Sequence, residues 1–154
     1  MMNNFTRCIG FAIACSTILI DQVTKILAKT FIKNYGIRVN SFLSFTYSEN
    51  TGAAWSMFRG HPLILAMLGV ISMVILGLAH KQFETHFQKI LAAMVFGGIF
   101  GNTLDRIFRG YVIDFIDVDL KFYHWPVFNI ADGIICASIV ILLFTFQRKA
   151  QKAK

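Results

Sequence analysis

The sequence predicts an all-α membrane protein with four transmembrane helices, and three observations support this fold class. The chain of 154 residues is 56% hydrophobic with a mean hydropathy of +0.60, whereas soluble domains are roughly 45–50% apolar. A chain this short has too little interior to bury the excess. The apolar residues also fall into four separate stretches, and a spanning helix needs about 20 of them.

The predicted spans are residues 8–28, 62–79, 87–104 and 127–146. The second stretch carries no charge and the fourth is long enough, whereas the first and third reach spanning length only with polar residues included. A cleaved signal peptide is a poorer interpretation of the first stretch, because its basic start is only Arg7 and no good small-residue cleavage site follows. We therefore expect one membrane domain over residues 1–154.

Two longer connections, residues 29–61 and 105–126, separate the first from the second span and the third from the fourth. In the first connection, the segment from Phe42 to Tyr47 alternates in the manner of a strand, and the turn-prone segment from Glu49 to Gly52 follows it. We expect a small extracytoplasmic β-sheet between helices 1 and 2, and a second extracytoplasmic loop between helices 3 and 4.

Basic residues predict the orientation of the chain. They are densest in the short pieces that would face the cytoplasm, above all in the tail that follows the fourth stretch. Such a tail is typical of a cytoplasmic anchor against anionic lipid. Both termini are therefore expected in the cytoplasm, and the formal net charge of +7 indicates membrane lipid rather than nucleic acid as a partner.

Polar residues gather at one end of the predicted spans, although a charge at the centre of a membrane helix costs about 2.5–3.5 kcal/mol. Alternating helices would bring these ends to the same, outer face, so that the polar residues form one site. The members of this group are Asp21, Lys25, Asn102, Asp105, Arg106, Asn129 and Asp132.

Structural roles are available for several of these residues. Asp21 and Lys25 have the i, i+4 spacing of an ion pair on one helix face. Asp105 can balance a neighbouring arginine. Asp132 can interact with the positive end of the helix dipole, since it lies near the start of the fourth span.

Asp114 and Asp132 are harder to explain as isolated charges, because each lies within an apolar segment. Two close carboxylates share one proton, since both cannot ionise easily. Such a pair can activate water and polarise a carbonyl group. The cysteines and histidines lack ligand spacing, so neither a metal nor a cofactor is expected. The spacing alone leaves transport and purely structural roles open.

Five sequence blocks nevertheless occur in order along most of the chain. They are residues 21–25 (DQVTK), 50–56 (NTGAAWS), 97–106 (GGIFGNTLDR), 110–115 (GYVIDF) and 126–132 (PVFNIAD). Together with the four apolar stretches, these blocks resemble the lipoprotein signal peptidases, also called signal peptidase II.

The resemblance implies a membrane aspartic peptidase with Asp114 and Asp132 as its catalytic residues. It further implies a diacylglyceryl-modified prolipoprotein as substrate, cut just before the lipid-bearing cysteine at the periplasmic face of a bacterial inner membrane. No metal or cofactor is implied, and any oligomeric partner is left open. The positions expected to bind substrate or support the catalytic pair are Asn50, Asn102, Arg106 and Asn129; those expected to hold structure are Asp21, Lys25 and Asp105.

Four positions depart from the usual pattern of that family without removing a catalytic group. Trp55 and Trp125 stand where phenylalanine is more common, Thr103 where an aliphatic residue is common, and Gly133 where serine or alanine is common.

The main alternative to a peptidase is a proton-coupled transporter, but the acids of a transporter would lie near the midplane of the membrane, often beside interrupted helices. A structural subunit would leave the shared depth of the acids unexplained.

Overall fold

The computed structural model describes residues 4–53 and 57–152, so Trp55 lies outside the described residues. Its four α-helices are α1 (Asn4–Phe31), α2 (Pro62–Leu78), α3 (His86–Phe108) and α4 (Ile130–Lys152), with a short 3-10 turn, Ala79–Gln82, after α2. Each helix contains a segment long and apolar enough to cross a membrane. The prediction of four apolar helices is confirmed.

Two helix ends near the site differ from the predicted ones. At the end of α3, Asp105 is paired with Lys25 and Arg109 inside the protein. Helix α3 continues to Phe108, so the assignment of Asp105 and Arg106 to a loop was wrong. Helix α4 begins at Ile130 rather than at residue 127, because the preceding Phe128 forms an isolated bridge with Ile116.

Local signals define the ends of α3. Thr85 and Gln88 form a capping box, in which Thr85 Oγ1 accepts from the Gln88 amide at 3.1 Å and Gln88 Oε1 accepts from the Thr85 amide at 3.2 Å. At the other end, Gly110 has a φ of +78°, a conformation that glycine adopts at little cost just beyond a helix. The chain thus leaves α3 in a fixed direction toward the candidate site.

Helix α3 lies at the centre of the bundle and contacts α1, α2 and α4. A Cβ atom on Gly97 would lie 2.7 Å from the carbonyl oxygen of Ala14 in α1, and one on Gly98 would lie 2.8 Å from Cγ1 of Ile135 in α4. Small residues therefore let both neighbouring helices approach closely, as is common between membrane helices. The outward faces of the bundle expose leucine, isoleucine, valine and phenylalanine.

A three-stranded antiparallel sheet completes the fold. Its strands are β1 (Ile37–Arg38), β2 (Leu43–Asn50) and β3 (Val112–Val118), in the order β1-β2-β3. The predicted sheet after α1 is confirmed, but two details were wrong. Glu49 and Asn50 belong to β2 rather than to a turn, and β3 comes from the connection between α3 and α4, which was predicted to be a loop.

The sheet rests on the end of α1. Ile113 and Phe115 of β3 form a buried cluster with Ala28 of α1 and with Ile32, which directly follows that helix. Burying such side chains contributes about 1.5–3 kcal/mol each. This cluster fixes β3 against the same end of the bundle that carries the polar residues.

Candidate active site

Strand β3 places Asp114 inside the protein. Its neighbours Val112 and Ile113 are almost fully buried, and Asp114 pairs in register with Ser48 of β2. On its other edge, β3 is held by the segment before α4, where Ile116 and Phe128 exchange backbone hydrogen bonds of 2.8 and 3.0 Å. Asp114 is only 2% exposed.

Asp132 occupies the first turn of α4, where Asn129 caps the helix. The Asp132 amide donates to Oδ1 of Asn129 at 2.9 Å, and the Asn129 amide donates to Oδ2 of Asp132 at 3.3 Å. This exchange is a capping box with an acid in the third helical position. The cap fixes Asp132 relative to Asn129 and stabilises the start of α4.

Three asparagines hold the two carboxylates. Asn129 Nδ2 donates to Oδ1 of Asp114 at 2.7 Å, and Asn50 Nδ2 donates to Oδ2 of the same residue at 2.8 Å. Asn102 Nδ2 donates to Oδ1 of Asp132 at 2.7 Å. Asn129 Nδ2 also lies 3.3 Å from Oδ1 of Asn102. The hydrogen-bonded chain from Asp114 through Asn129 and Asn102 to Asp132 joins β3, α3 and α4.

Burial, the largest cause, and the neighbouring Asp132 carboxylate raise the pKa of Asp114 from 3.8 to about 6. The hydrogen bonds from Asn50 and Asn129 act in the opposite direction, because they stabilise the ionised form of the Asp114 carboxylate. The Asp114 carboxyl group can therefore hold a proton in mildly acidic solution and lose it close to neutrality.

Behind the two carboxylates lies a buried ionic group centred on Lys25. The ammonium nitrogen of this fully buried residue lies 2.7 Å from Oδ2 of Asp21, 2.7 Å from Oδ2 of Asp105 and 2.7 Å from Oδ1 of Asn102. Arg109 pairs with Oδ1 of Asp105. Lys25 therefore compensates buried acids from α1 and α3 and orients the side-chain oxygen of Asn102.

The ionic group also reaches α4. Oδ1 of Asp21 accepts from the Ala131 amide at 3.2 Å, which is one of the unpaired donors at a helix start. Gln22 Nε2 lies 3.1 Å from Oδ1 of Asp105 and 3.3 Å from Oδ2 of Asp21. Asp21 thus connects α1 to the helix turn that carries Asp132.

Asp114 and Asp132 line one cavity of about 950 Å³. Arg106 also lines it and donates from Nη2 to the carbonyl oxygen of Gly52 at 3.0 Å and from Nη1 to that of Asn102 at 3.3 Å. Its guanidinium group therefore ties the segment after β2 to α3. Other parts of the wall come from Glu49, Arg59, Val118, Trp125, Gly133 and Cys136.

The predicted site residues form two layers. Asp114, Asp132, Asn50, Asn102 and Arg106 line the cavity. Asn129 lies between the carboxylates, fully buried, and the ionic group of Asp21, Lys25 and Asp105 lies behind.

Sequence reasoning did not identify Glu49 or Arg59 as cavity residues, and it noted Trp125 only as a departure from a family pattern. None of these three residues has a spacing from the other site residues that marks it as functional. Only their location in the connections that flank the predicted site could have pointed to them. Gln22 was overlooked as well, although it lies between two selected residues in the first sequence block.

Comparison with known proteins decides the family. The family model described as signal peptidase (SPase) II matches residues 13–148. The chain belongs to the signal peptidase II family. The resemblance drawn from the five sequence blocks is confirmed.

Two lipoprotein signal peptidases illustrate the relationship of this family member to known sequences. That of Thermodesulfovibrio yellowstonii is 40% identical over 136 residues, covering 86% of this chain and 90% of the relative. That of Geobacter sulfurreducens is 33% identical over 148 residues, covering 92% of each.

Two solved structures share the fold of this signal peptidase II family member. Both are described as bacterial membrane enzymes. One has a TM-score of 0.84 with 29% identity, over 94% of this chain and 91% of that chain. The other has a TM-score of 0.76 with 30% identity, over 89% and 91% respectively. The chain is therefore a multi-pass bacterial membrane protein.

Proposed function

We propose that this chain is an aspartic endopeptidase that removes the signal peptide from diacylglyceryl-modified prolipoproteins, cutting just before the lipid-modified cysteine. One observation carries the catalytic assignment: Asp114 and Asp132 line the same cavity and are joined through Asn129 and Asn102. The family membership supports the substrate class, since the relatives are lipoprotein signal peptidases.

In the proposed mechanism, the two carboxylates share one proton. We assign the shared proton to Asp114, whose pKa is raised by burial and by the Asp132 carboxylate, and the ionised form to Asp132. Asp132 then takes a proton from the attacking water, while Asp114 donates its hydrogen bond to the scissile carbonyl oxygen. A carbon–oxygen bond forms, and the carbonyl carbon becomes tetrahedral.

The collapse of this intermediate breaks the carbon–nitrogen bond. The proton on Asp132 passes to the departing amine of the lipid-modified cysteine, and the new carboxyl group remains on the signal peptide. The asparagines contribute by holding the carboxylates in one geometry, because small displacements of reacting groups cost large factors in rate. Arg106 positions the segment at Gly52 through its 3.0 Å hydrogen bond.

The location of the site suits a substrate embedded in lipid. Asn102 lies near the end of α3, Asp132 lies in the first turn of α4, and both flank the cavity. The scissile bond would therefore meet the carboxylates near one membrane surface. We place this surface on the periplasmic side of a bacterial inner membrane, with both termini in the cytoplasm, because basic residues are densest in the opposite connections and in the tail.

The test is cleavage of a diacylated prolipoprotein by purified protein in detergent, with a chelator present throughout. Asp114→Asn and Asp132→Asn each remove a titrating group at nearly constant size, and we expect both variants to fold but to lose cleavage. Glu84→Gln is the matched control, because Glu84 precedes α3 at the end opposite Asn102; it should cleave like the wild type.

Near-normal cleavage by either aspartate variant would falsify the assignment of the catalytic pair. If the wild-type protein itself does not cleave, the proposed substrate is wrong, and proton flux in liposomes becomes the measurement that separates peptidase from transporter.

A further inference from the structure

Two turns lie side by side at one end of the sheet. The first connects β1 to β2 through Val39 and Phe42, and the second follows β3 from Asp119 to His124. The Asp119 amide donates to the carbonyl oxygen of Phe42 at 2.9 Å, which joins the turns directly. They therefore form one continuous surface.

This surface is apolar and exposed. Phe122 is 87% exposed, which makes it the most exposed large hydrophobic residue among those whose side chains the structure describes. Contiguous exposed apolar patches typically mark interaction sites in proteins. We call this surface the apolar sheet end; its residues are Val39, Phe42, Leu120, Phe122, Tyr123 and Trp125.

The second turn holds these side chains outward by its own hydrogen bonds. The Leu120 amide donates to the carbonyl oxygen of Tyr123 at 3.0 Å, and the backbone amide of Trp125 donates to the carbonyl oxygen of Val118 at 2.9 Å. Lys121 adopts a φ of +67° and donates from its amide to Oδ1 of Asp119 at 2.8 Å. The exposure of the aromatic rings is thus part of a defined conformation.

We propose that the apolar sheet end inserts into the interface of the membrane leaflet next to the active site, with lipid as its occupant. Tyrosine and tryptophan concentrate at membrane interfaces, where basic residues face the headgroups. Here Lys121 belongs to the second turn, and Arg38, the last residue of β1, directly precedes the first turn. An interfacial surface of this kind is buried about 5–10 Å into the boundary between headgroups and acyl chains.

Continuity with the lipid-facing helices supports lipid rather than a protein partner. The apolar sheet end is followed after Trp125 by only four residues before α4 begins at Ile130. The outward face of α4 exposes Ile139, Leu143 and Phe144, as a helix in contact with acyl chains does. Closer to the sheet, exposed apolar residues lead from the end of α1 into the first turn, through Phe31, Tyr35 and Ile37 to Val39. Exposed apolar side chains therefore line the chain from a spanning helix to the sheet.

Insertion would set the depth of the catalytic strand. Asp114 and the second turn belong to one continuous segment, since β3 runs from Val112 to Val118 and the turn begins at Asp119. This consequence rests on the proposed function, whereas membrane insertion itself does not.

The experiment measures the depth of position 122 by tryptophan fluorescence, which does not depend on cleavage. The chain contains two tryptophans, Trp55 and Trp125; replacing both with phenylalanine and introducing Phe122→Trp leaves one probe at the tip. The protein is placed in bilayers that contain brominated phosphatidylcholine, and iodide serves as the aqueous quencher. The reference probe is Leu19→Trp in the same background, because Leu19 is 64% exposed near the middle of the first span.

We expect the probe at position 122 to lose most of its fluorescence with bromines near the glycerol end of the acyl chains, and less with bromines near the chain ends. The Leu19→Trp probe should show the reverse order, and iodide should have little effect on either. Strong quenching by iodide without quenching by bromolipid would overturn the proposal. Protection from both quenchers would also overturn it, because a second copy or another protein would then cover the surface.

Discussion

Asn129 joins the two candidate catalytic residues, because its Nδ2 donates to the Asp114 carboxylate at 2.7 Å and its Oδ1 accepts from the backbone amide of Asp132 at 2.9 Å. The same residue therefore caps α4 and restrains the carboxylate on β3. It is fully buried, so solvent cannot replace either hydrogen bond. This side chain therefore links strand and helix at the site, in addition to the backbone hydrogen bonds between Ile116 and Phe128.

Asn129→Asp separates these two roles. The variant keeps an acceptor for the helix cap but removes the donor to Asp114 and adds a second negative charge beside it. We expect kcat to fall by about a hundredfold, the scale associated with displacement of catalytic groups. Steady-state cleavage gives kcat, and circular dichroism reports whether the helices remain. Asn34→Asp, at an exposed position after α1, should retain wild-type kcat; an unaltered rate in Asn129→Asp would remove Asn129 from the positioning role.

The raised pKa of Asp114 predicts the pH dependence of cleavage. If Asp114 donates the hydrogen bond to the carbonyl group, kcat/KM should decline as the pH rises through about 6, where this carboxyl group loses its proton. The folded state binds this proton more tightly than the unfolded chain, so the contribution of Asp114 to the free energy of unfolding also declines as the pH rises from 3.8 to about 6.

Asn50→Ala tests whether Asp114 causes the decline of kcat/KM at rising pH, which we call the alkaline limb of the pH profile. It removes a donor that lowers the pKa of Asp114, so the limb should move to higher pH while its shape is kept. Asn34→Ala is the matched exposed control and should leave the limb in place. A limb that stays fixed in Asn50→Ala would assign the titration to another group.

The sequence was sufficient to select the acids but not to show how they are held. Asp114 and Asp132 stood out because a charge in an apolar segment needs a reason. The bridging positions of Asn129 and Asn102 depend on contacts between β3, α3 and α4, which no local pattern encodes. Strand β3 was missed because most of its residues are buried, so it lacks the alternation that marks a strand with one exposed face.

Lys25 was predicted to have a structural role, and its contacts allow that prediction to be tested by measuring stability. Lys25→Met removes the cation between Asp21 and Asp105, both of which are almost fully buried. Leaving buried charges without their partner typically costs about 3–5 kcal/mol, so the unfolding temperature in detergent should fall strongly.

A partial rescue distinguishes lost charge compensation from lost packing at Lys25. The double variant Lys25→Met with Asp21→Asn neutralises one of the two acids left behind, and it should unfold at a higher temperature than Lys25→Met alone. Equal unfolding temperatures for the single and double variants would mean that charge compensation at Asp21 is not the main role of Lys25.

Two glycines offer a matched pair of substitutions near the site. A Cβ atom on Gly101 would lie 2.5 Å from Oδ2 of Asp21, which is held by Lys25, whereas a Cβ atom on Gly133 would meet only Cε2 of Phe128 at 3.8 Å. Gly101→Ala should therefore lower the free energy of unfolding by about 1–3 kcal/mol through overpacking. Gly133→Ala should raise it by about 0.5–1 kcal/mol, because alanine is favoured within a helix, and thermal unfolding of both variants in one detergent gives the comparison. Equal stability of the two would show that the Asp21 carboxylate can move away from α3, and that the ionic group is less rigid than its 2.7 Å contacts indicate.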